Sequence, residues 1–408
     1  KRLTMKDFMT VEKYVFPLSG NAFTGKAQNV KFKFKDYAPL CFRHLRNIWK
    51  VDPADYLLSV CGNTGFIKFL SNSKSGQYFF YTNDYKYMIK TLTDDECKFL
   101  RRILPYLVKH MIEYPDSMIN RYYGLHRVKM PHISRRLHFV VMNNIFNTPL
   151  DIHTKYDLKG ATYKGRYTSH SDIQAKPGTI RKDLNWLGFD DALKGPVSGL
   201  AQKLKLGTRE RRDAFLDQIH ADAIFLSKMG IMDYSLLVGV HGRDPITVPG
   251  FSIGREKNVE KATARKQMGE QVVVSGDEGL HSGNDSGDGM AYENQSSGHD
   301  DDYDEEKMPG ADSDEYACLP VFNQEWGGYE GKDIHGENNN EIYYFGIIDI
   351  LQQYNMIKRG ENFFKSVLLN MGEKISSMPP FKYAERFIKF IRESTEPYDS
   401  SGSGSDVA

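Results

Sequence analysis

The sequence predicts an α+β fold in which antiparallel strands alternate with long amphipathic helices. Three observations carry this prediction. Residues 77–82 (QYFFYT) and 85–92 (YKYMIKTL) are aromatic and β-branched runs separated by Asn83-Asp84, the pattern of a hairpin. Residues 93–114 and 208–229 read as long helices, the second with Phe215, Ile219, Ala223 and Leu226 on one face. Residues 234–240 (YSLLVGV) and 343–351 (YYFGIIDIL) are apolar strands on either side of a low-complexity stretch, and they read as parts of one domain.

Each element follows from its local pattern. Residues 1–27 read as a leading segment of helix and loop. Residues 30–35 alternate apolar and basic, the period of a half-buried strand. Residues 39–50 (PLCFRHLRNIWK) carry an apolar stripe of Leu40, Phe42, Leu45, Ile48 and Trp49, with a basic opposite face; Asp52-Pro53 is expected to end that helix. Thr93-Asp94-Asp95-Glu96 opens the next helix with acids in its first turn. Residues 136–146 read as a buried strand entering a polar turn. Residues 252–340 are rich in Gly, Ser and Asp, and most of them are expected to form a disordered insert. Residues 381–392 form a basic amphipathic helix, and the polar tail from residue 394 is expected to be loose.

Composition bounds the function. Of 408 residues 40% are hydrophobic, enough for a sizeable core, which excludes a collagen-like repeat or a wholly disordered chain. No apolar run approaches the ~18 residues of a membrane span. Lys1 is followed by no apolar leader, so the chain is read as a processed product or a fragment. The four cysteines (Cys41, Cys61, Cys97, Cys318) form no Cys-x-x-Cys pair, which argues against a zinc ribbon and for a reducing, cytoplasmic setting. The net charge of +1 hides an asymmetry. Residues 275–316 hold 14 acidic residues and one lysine; without them 53 basic and 39 acidic residues remain, a balance of +14. Such a body suits a polyanion: an anionic membrane, nucleic acid or a phosphate-rich substrate.

Several residues could carry chemistry. Ser75 and Gly76 lie in a small-residue turn before the hairpin, with Lys90 on its second strand. Backbone amides and a strand ammonium can together hold phosphate, although a solvated turn has the same composition. Glu96 either pairs with that lysine or simply favours the helix N-terminus. Asp233 lies between a helix and an apolar strand, where it could act on a substrate hydroxyl or cap a turn. Asp349 sits in an apolar strand. A carboxylate there needs a metal or a buried cation, and metal is the favoured reading. Lys159 stands beside Asp157 and Gly160 in a turn. Lys358, Arg359, Glu361 and Lys365 begin a basic amphipathic segment suited to a membrane surface or to core packing with a solvated face.

At these residues the chain resembles the phosphatidylinositol phosphate kinases. The motifs are FKFKDYAPLCFRHLR (32–46), YDLKGATYKGR (156–166), RKDLNW (181–186), IMDYSLLVGVH (231–241), GIIDILQQYNMIKRGENFFKSV (346–367) and KYAERFIKF (382–390). The resemblance implies a two-lobed kinase-like fold with an antiparallel sheet in the N-terminal lobe (28–147). The C-terminal lobe would be split (148–251 and 341–393) by the acidic insert, with a tail at 394–408. It implies ATP and Mg²⁺, with Lys90 on the ATP phosphates, Asp233 in the catalytic loop, Asp349 on the metal, and Lys159 on the nucleotide. Met142, Asn143 and Asn144 would lie along the adenine, and residues 358–381 would form the activation loop. Glu361 and KYAERF look like the type I enzymes, which phosphorylate phosphatidylinositol 4-phosphate at its 5-hydroxyl. The alternatives are a 5-phosphate 4-kinase or a catalytically weak membrane scaffold. Ala161 replaces a family serine and Gln77 follows Ser75-Gly76 where the family has a second serine; these departures are the scaffold's best support, and retention of Lys90, Asp233 and Asp349 argues against it. The implied partner is phosphatidylinositol phosphate in an anionic membrane, reached peripherally from the cytosolic face of the plasma membrane or another membrane. A homodimer is left open. No nucleic-acid motif is present.

Overall fold

The computed structural model describes residues 2–20, 30–62, 65–69, 77–131, 136–176, 178–190, 195–197, 199–242, 328–333, 335–354 and 378–397. They belong to one compact unit built from residues 1–251 and 313–408. Ser75, Gly76, Lys358, Arg359, Glu361 and Lys365 lie outside the described residues, as do most of the expected insert and residues 398–408 of the tail.

Two sheets organise the chain. The first has seven antiparallel strands: β1 (Val11–Phe16), β2 (Phe32–Tyr37), β3 (Ile67–Phe69), β4 (Phe79–Tyr81), β5 (Tyr87–Leu92), β6 (Tyr122–Lys129) and β7 (Leu137–Asn143). Their spatial order is β1-β2-β6-β7-β5-β4-β3. The predicted hairpin is β4 and β5, with Lys90 opposite Phe79 on one side and Val140 on the other. The leading segment is more than helix and loop. After α1 (Met5–Met9), β1 joins the sheet edge beside β2.

Helices cover this sheet. In α2 (Pro39–Ile48) the buried residues are Cys41, Phe42 and Leu45, whereas Leu40 is exposed. The apolar stripe is therefore rotated from the predicted one, because Cys41, one residue on, packs as a small hydrophobe. Asp52-Pro53 does not only stop a helix. Asp52 accepts hydrogen bonds from the amides of Ala54 and Asp55, and Pro53 opens α3 (Pro53–Cys61). An aspartate N-cap before a first-turn proline is a start signal as much as a stop. Tyr56 and Val60 of α3 pack on Tyr87 and Tyr123 of the sheet. Helix α4 (Asp94–Glu113) begins with a reciprocal cap between Thr93 and Glu96 and buries Leu100, Ile103, Leu104, Leu107 and Val108. Full burial of each such side chain contributes about 1.5–3 kcal/mol.

The second sheet has five strands in the order β13-β14-β12-β8-β9, where β8 is Thr154–Leu158, β9 Arg181–Lys182, β12 Ser235–Gly242, β13 Tyr329–Lys332 and β14 Asn338–Ile348. A separate short pair joins β10 (Phe189–Asp190) to β11 (Gly195–Pro196). Strand β13 and the start of β14 fall inside the stretch expected as insert. Their polar composition (GENNN) conceals strand residues that the ladder to β12 and β13 recruits. The remaining helices are α5 (His170–Ala175), α6 (Asp183–Trp186), α7 (Arg209–Lys228) and α8 (Pro380–Glu393). Helix α7 buries the predicted face of Phe215, Ile219, Ala223 and Leu226.

Two joints hold the sheets together. Asp222 of α7, fully buried, accepts hydrogen bonds from Ser117 Oγ (2.8 Å), Gln218 Nε2 (3.0 Å) and the Met118 amide (2.7 Å), and lies 2.7 Å from His110 Nε2 of α4. The adjoining Met118–Asn120 backbone then pairs with Ile347 of β14. The second joint is the connector from β7 to β8. A side chain at Gly346 would run into Ile145, so the glycine admits the connector onto the sheet.

Candidate active site

Three loops leave one end of three neighbouring strands. Ser235 of β12 pairs with Ile348 of β14, and Leu236 pairs with Leu158 of β8. Register alone therefore places Lys159, Asp233 and Asp349 at the same edge of the second sheet. Lys90 arrives from the first sheet, 259 residues from Asp349 in sequence, and its ammonium lies 2.8 Å from the Asp349 carboxylate. Lys159 Nζ donates to Asp233 Oδ1 (2.8 Å) and to the Asp233 carbonyl (2.6 Å). All four groups line a cleft of ≈ 470 Å³, together with Gln77, Phe79 and Glu96.

The electrostatics follow from burial. Lys90 is 9% exposed at its side chain, and Asp349 is 52% exposed. The ammonium is thus held on a mostly buried stem while the carboxylate opens to the cleft. Burial pushes the Lys159 ammonium toward neutrality, but Asp233 and Asp157 more than offset it, so it titrates above the ordinary lysine range. Burial likewise pushes Asp157 up, and Arg166 and Lys159 pull it net below the ordinary carboxylate range.

A buried acid shapes the Lys159 turn. Asp183, fully inaccessible at the start of α6, accepts hydrogen bonds at Oδ1 from the amides of Lys159 (2.8 Å), Gly160 (2.7 Å) and Ala161 (3.3 Å). Its Oδ2 lies 2.6 Å from Arg166 Nε, and Arg166 also pairs with Asp157. Asp183 and Arg166 were not singled out in the sequence. The only local signal for them is an acid and a base near Asp157 and Lys159. Gly160 takes φ +70°, and a Cβ there would sit 3.0 Å from Phe390 and 3.1 Å from the Arg386 carbonyl of α8. Glycine alone takes this bend against the helix without strain.

Two expectations change, and one group of expected residues lies apart from this cleft. Asp349 is not inside a buried strand: β14 ends at Ile348, and the carboxylate is half exposed and ion-paired with Lys90. The ion pair, rather than a cluster of protein ligands, is what meets its charge. Glu96 does not pair with Lys90. Its Oε2 accepts from the Thr93 amide (2.8 Å), Thr93 Oγ1 (3.0 Å) and Gln77 Nε2 (2.6 Å), because a glutamate three residues after a threonine N-cap closes a capping box. Met142, Asn143 and Asn144 are not among the residues lining the cleft. Met142 is buried, the Asn143 side chain accepts from Tyr123, and Asn144 donates to the Tyr85 carbonyl (2.7 Å). They anchor the connector between the sheets.

The donor set suits a divalent cation shared with phosphate. Among the described residues no cluster of three or more His, Cys, Asp or Glu forms a metal cage. Mg²⁺ is held by one or two carboxylates with phosphate oxygens completing its shell, and the cleft-facing Asp349 carboxylate meets that requirement.

Nearly the whole chain is similar to known proteins. The family profile described as phosphatidylinositol-4-phosphate 5-kinase matches residues 60–394. The chain is 36% identical over 418 residues to phosphatidylinositol 4-phosphate 5-kinase its3 of Schizosaccharomyces pombe, covering 97% of this chain and 50% of that protein. It is 35% identical over 394 residues to phosphatidylinositol 4-phosphate 5-kinase 1 of Arabidopsis thaliana (95% and 49%). Against phosphatidylinositol 4-phosphate 5-kinase 4 of the same plant, identity is 35% over 399 residues (92% and 44%). The chain spans about half the length of the curated relatives it matches.

Proposed function

The chain belongs to the phosphatidylinositol-4-phosphate 5-kinase family, and from that premise we propose that it transfers the γ-phosphate of ATP to the 5-hydroxyl of phosphatidylinositol 4-phosphate. The observation that carries the proposal is the convergence of Lys90, Lys159, Asp233 and Asp349 on one cleft.

The geometry supports a role for each of these residues. Lys90 offers a buried, fixed ammonium to phosphate oxygens, and exchanges Asp349 for them when nucleotide enters. A charge on a buried stem is less screened than one in water, so it acts more strongly on the phosphates. Asp233 accepts a hydrogen bond from the inositol hydroxyl and orients it for in-line attack. Lys159 holds the Asp233 carboxylate in place and contributes positive charge toward the transferring group. Asp349 and phosphate oxygens would hold Mg²⁺, which when bound neutralises charge on the transferring group. Catalysis in such a site is positioning and charge stabilisation.

The substrate stays in its bilayer, so the enzyme docks. No helix among the described residues is long and apolar enough to cross a membrane. The +14 balance outside the acidic stretch supports peripheral, electrostatic attachment, at about 1 kcal/mol per basic residue near an anionic leaflet. Lys358, Arg359, Glu361 and Lys365 remain the proposed lipid-contacting positions.

The test offers each phosphatidylinositol monophosphate in vesicles with labelled ATP and Mg²⁺ and identifies the product. The expected product is the 4,5-bisphosphate formed from the 4-phosphate. Transfer only to the 5-phosphate isomer would replace this assignment with a 4-kinase. ATP binding without transfer to any isomer would leave the scaffold alternative.

A further inference from the structure

Helix α8 touches both catalytic loops through polar groups on one face. The Tyr383 hydroxyl donates to the carbonyl of Tyr234, the residue after Asp233. Three positions on, Arg386 Nη2 donates to the carbonyl of Lys159 (3.3 Å). The Arg386 guanidinium also lies over the Tyr383 ring, 4.9 Å from its centroid. Tyr234 packs edge-on against Tyr383 (4.7 Å between centroids) and Phe387 (5.1 Å), and all three side chains are fully buried. Gly160, next to Lys159, bends directly against Phe390 and the Arg386 backbone.

We infer that Tyr383 and Arg386 are positioning residues that hold the Asp233 and Lys159 loops in mutual register for phosphoryl transfer. The inference rests on the catalytic reading of Asp233 and Lys159 given above. The buried face of α8 is Tyr383, Ala384, Phe387, Phe390 and Ile391; packing it uses the Tyr383 ring but needs neither its hydroxyl nor the Arg386 guanidinium. Both polar groups instead end on main-chain carbonyls, one at Tyr234 beside Asp233 and one at Lys159 itself, outside the strand ladder. The Lys159 ammonium in turn bonds both the carboxylate and the carbonyl of Asp233. One helix therefore fixes the backbones of two loops whose side chains already grip each other. Burial, and then the nearby Asp233 carboxylate, hold the Tyr383 hydroxyl well above its ordinary titration range, so it stays a donor throughout the working pH. Loops fixed in this way keep reacting groups within the narrow geometry that transfer requires.

The experiment compares Tyr383→Phe, Arg386→Lys and Arg386→Ala with wild type on vesicles of phosphatidylinositol 4-phosphate in anionic lipid. Lys389→Ala, on the exposed side of the same helix, is the control. Melting temperature, kcat, KM for ATP and KM for lipid are read for each. Tyr383→Phe and Arg386→Ala are expected to lower kcat about tenfold each, as loss of one hydrogen bond at a catalytic loop would. KM for ATP should stay within about twofold, Arg386→Lys should recover part of the loss, and Lys389→Ala should match wild type. The decisive readout is coupling. In a Lys159→Ala background, followed by labelled ATP, Arg386→Ala should cost little further, because it acts through Lys159. Equal, additive losses in both backgrounds would overturn the inference, as would lowered melting temperature with unchanged kcat. If Arg386→Ala does not fold, Tyr383→Phe and Arg386→Lys decide by the kcat and KM split. An inactive wild type would instead end the kinase reading itself, so the two failures are distinct.

Discussion

Asp233 and Asp349 hold the same left-handed backbone conformation, with φ of 63° and 62°. They sit side by side at the ends of paired strands. Residues forced into this region cost on the order of 1–3 kcal/mol and persist where the surroundings over-determine them. Here the ladder between β12 and β14 fixes both ends, and Lys159 and Lys90 grip the two carboxylates. Aspartate and asparagine are the side chains that tolerate this conformation best after glycine.

That tolerance separates chemistry from folding. Asp233→Asn and Asp349→Asn should keep the fold, with melting temperatures within a few degrees of wild type. Turnover on phosphatidylinositol 4-phosphate vesicles should fall about 10²- to 10⁴-fold, the range lost with a positioned acid or base. Near-normal turnover in both variants would remove these carboxylates from the mechanism.

Asp183 should matter more to stability than either. Asp183→Asn leaves Arg166 facing an amide in a dry site and weakens the cage around three loop amides. Breaking a buried ion pair from one side costs about 3–5 kcal/mol. The urea midpoint reads this directly. Replacing Asp183 and Arg166 together by apolar residues should cost less than the sum of the single changes. A fully additive double variant would show that the pair does not act as a unit.

Gly160→Ala is a sharper probe of the loop. A β-carbon there meets α8 at 3.0 Å and must also adopt φ +70°. The combined strain and overpacking should cost about 1–3 kcal/mol. Because Lys159 is the preceding residue, kcat should fall as well. Stability and kcat both within error of wild type would contradict the close approach.

One acid-side titration is visible at the outer end of β8 and β12. His153 is stacked on His241, with ring centroids 5.0 Å apart, and its Nδ1 accepts from the Gly242 amide (2.9 Å). Burial, followed by the neighbouring His241, holds the His153 imidazole below its ordinary value of 6.5. The unfolded chain thus binds a proton that the folded chain resists, so this contribution is whole above about pH 6.5. It is lost as pH falls from there through the folded value. His153→Asn, which keeps an acceptor for Gly242 without the titration, should flatten the decline of melting temperature between pH 7 and 5. An unchanged slope would exclude His153 as a source of it.

Much of the molecule was legible in the chain. Lys90, Asp233, Asp349 and Lys159 stand out because local pattern and motif mark them: a lysine in a strand, an acid between a helix and a strand, an acid within an apolar run, a lysine before a tight glycine. The long helices α4 and α7 announced themselves by caps and periodicity. What local pattern could not supply was partnership. Glu96 reads equally as a capping residue or an ion-pair partner, since both need the same residue at the same place. Strand β13 hides in a polar stretch because its pairing with the next strand, β14, rests on backbone hydrogen bonds that a polar sequence does not announce. Asp183 looks like an ordinary helix-start acid until the turn containing Lys159 folds over it.

The sequence by itself determined the long helices and the apolar strands, the basic body and the residue types that phosphate chemistry requires, since these depend on spacing and charge within a few turns of chain. Only the tertiary structure decided that Lys90 meets Asp349 across 259 residues, that Lys159 serves Asp233, and that α8 braces both loops. The reason is physical: such contacts are selected by the burial and register of whole sheets, which no short stretch of sequence encodes.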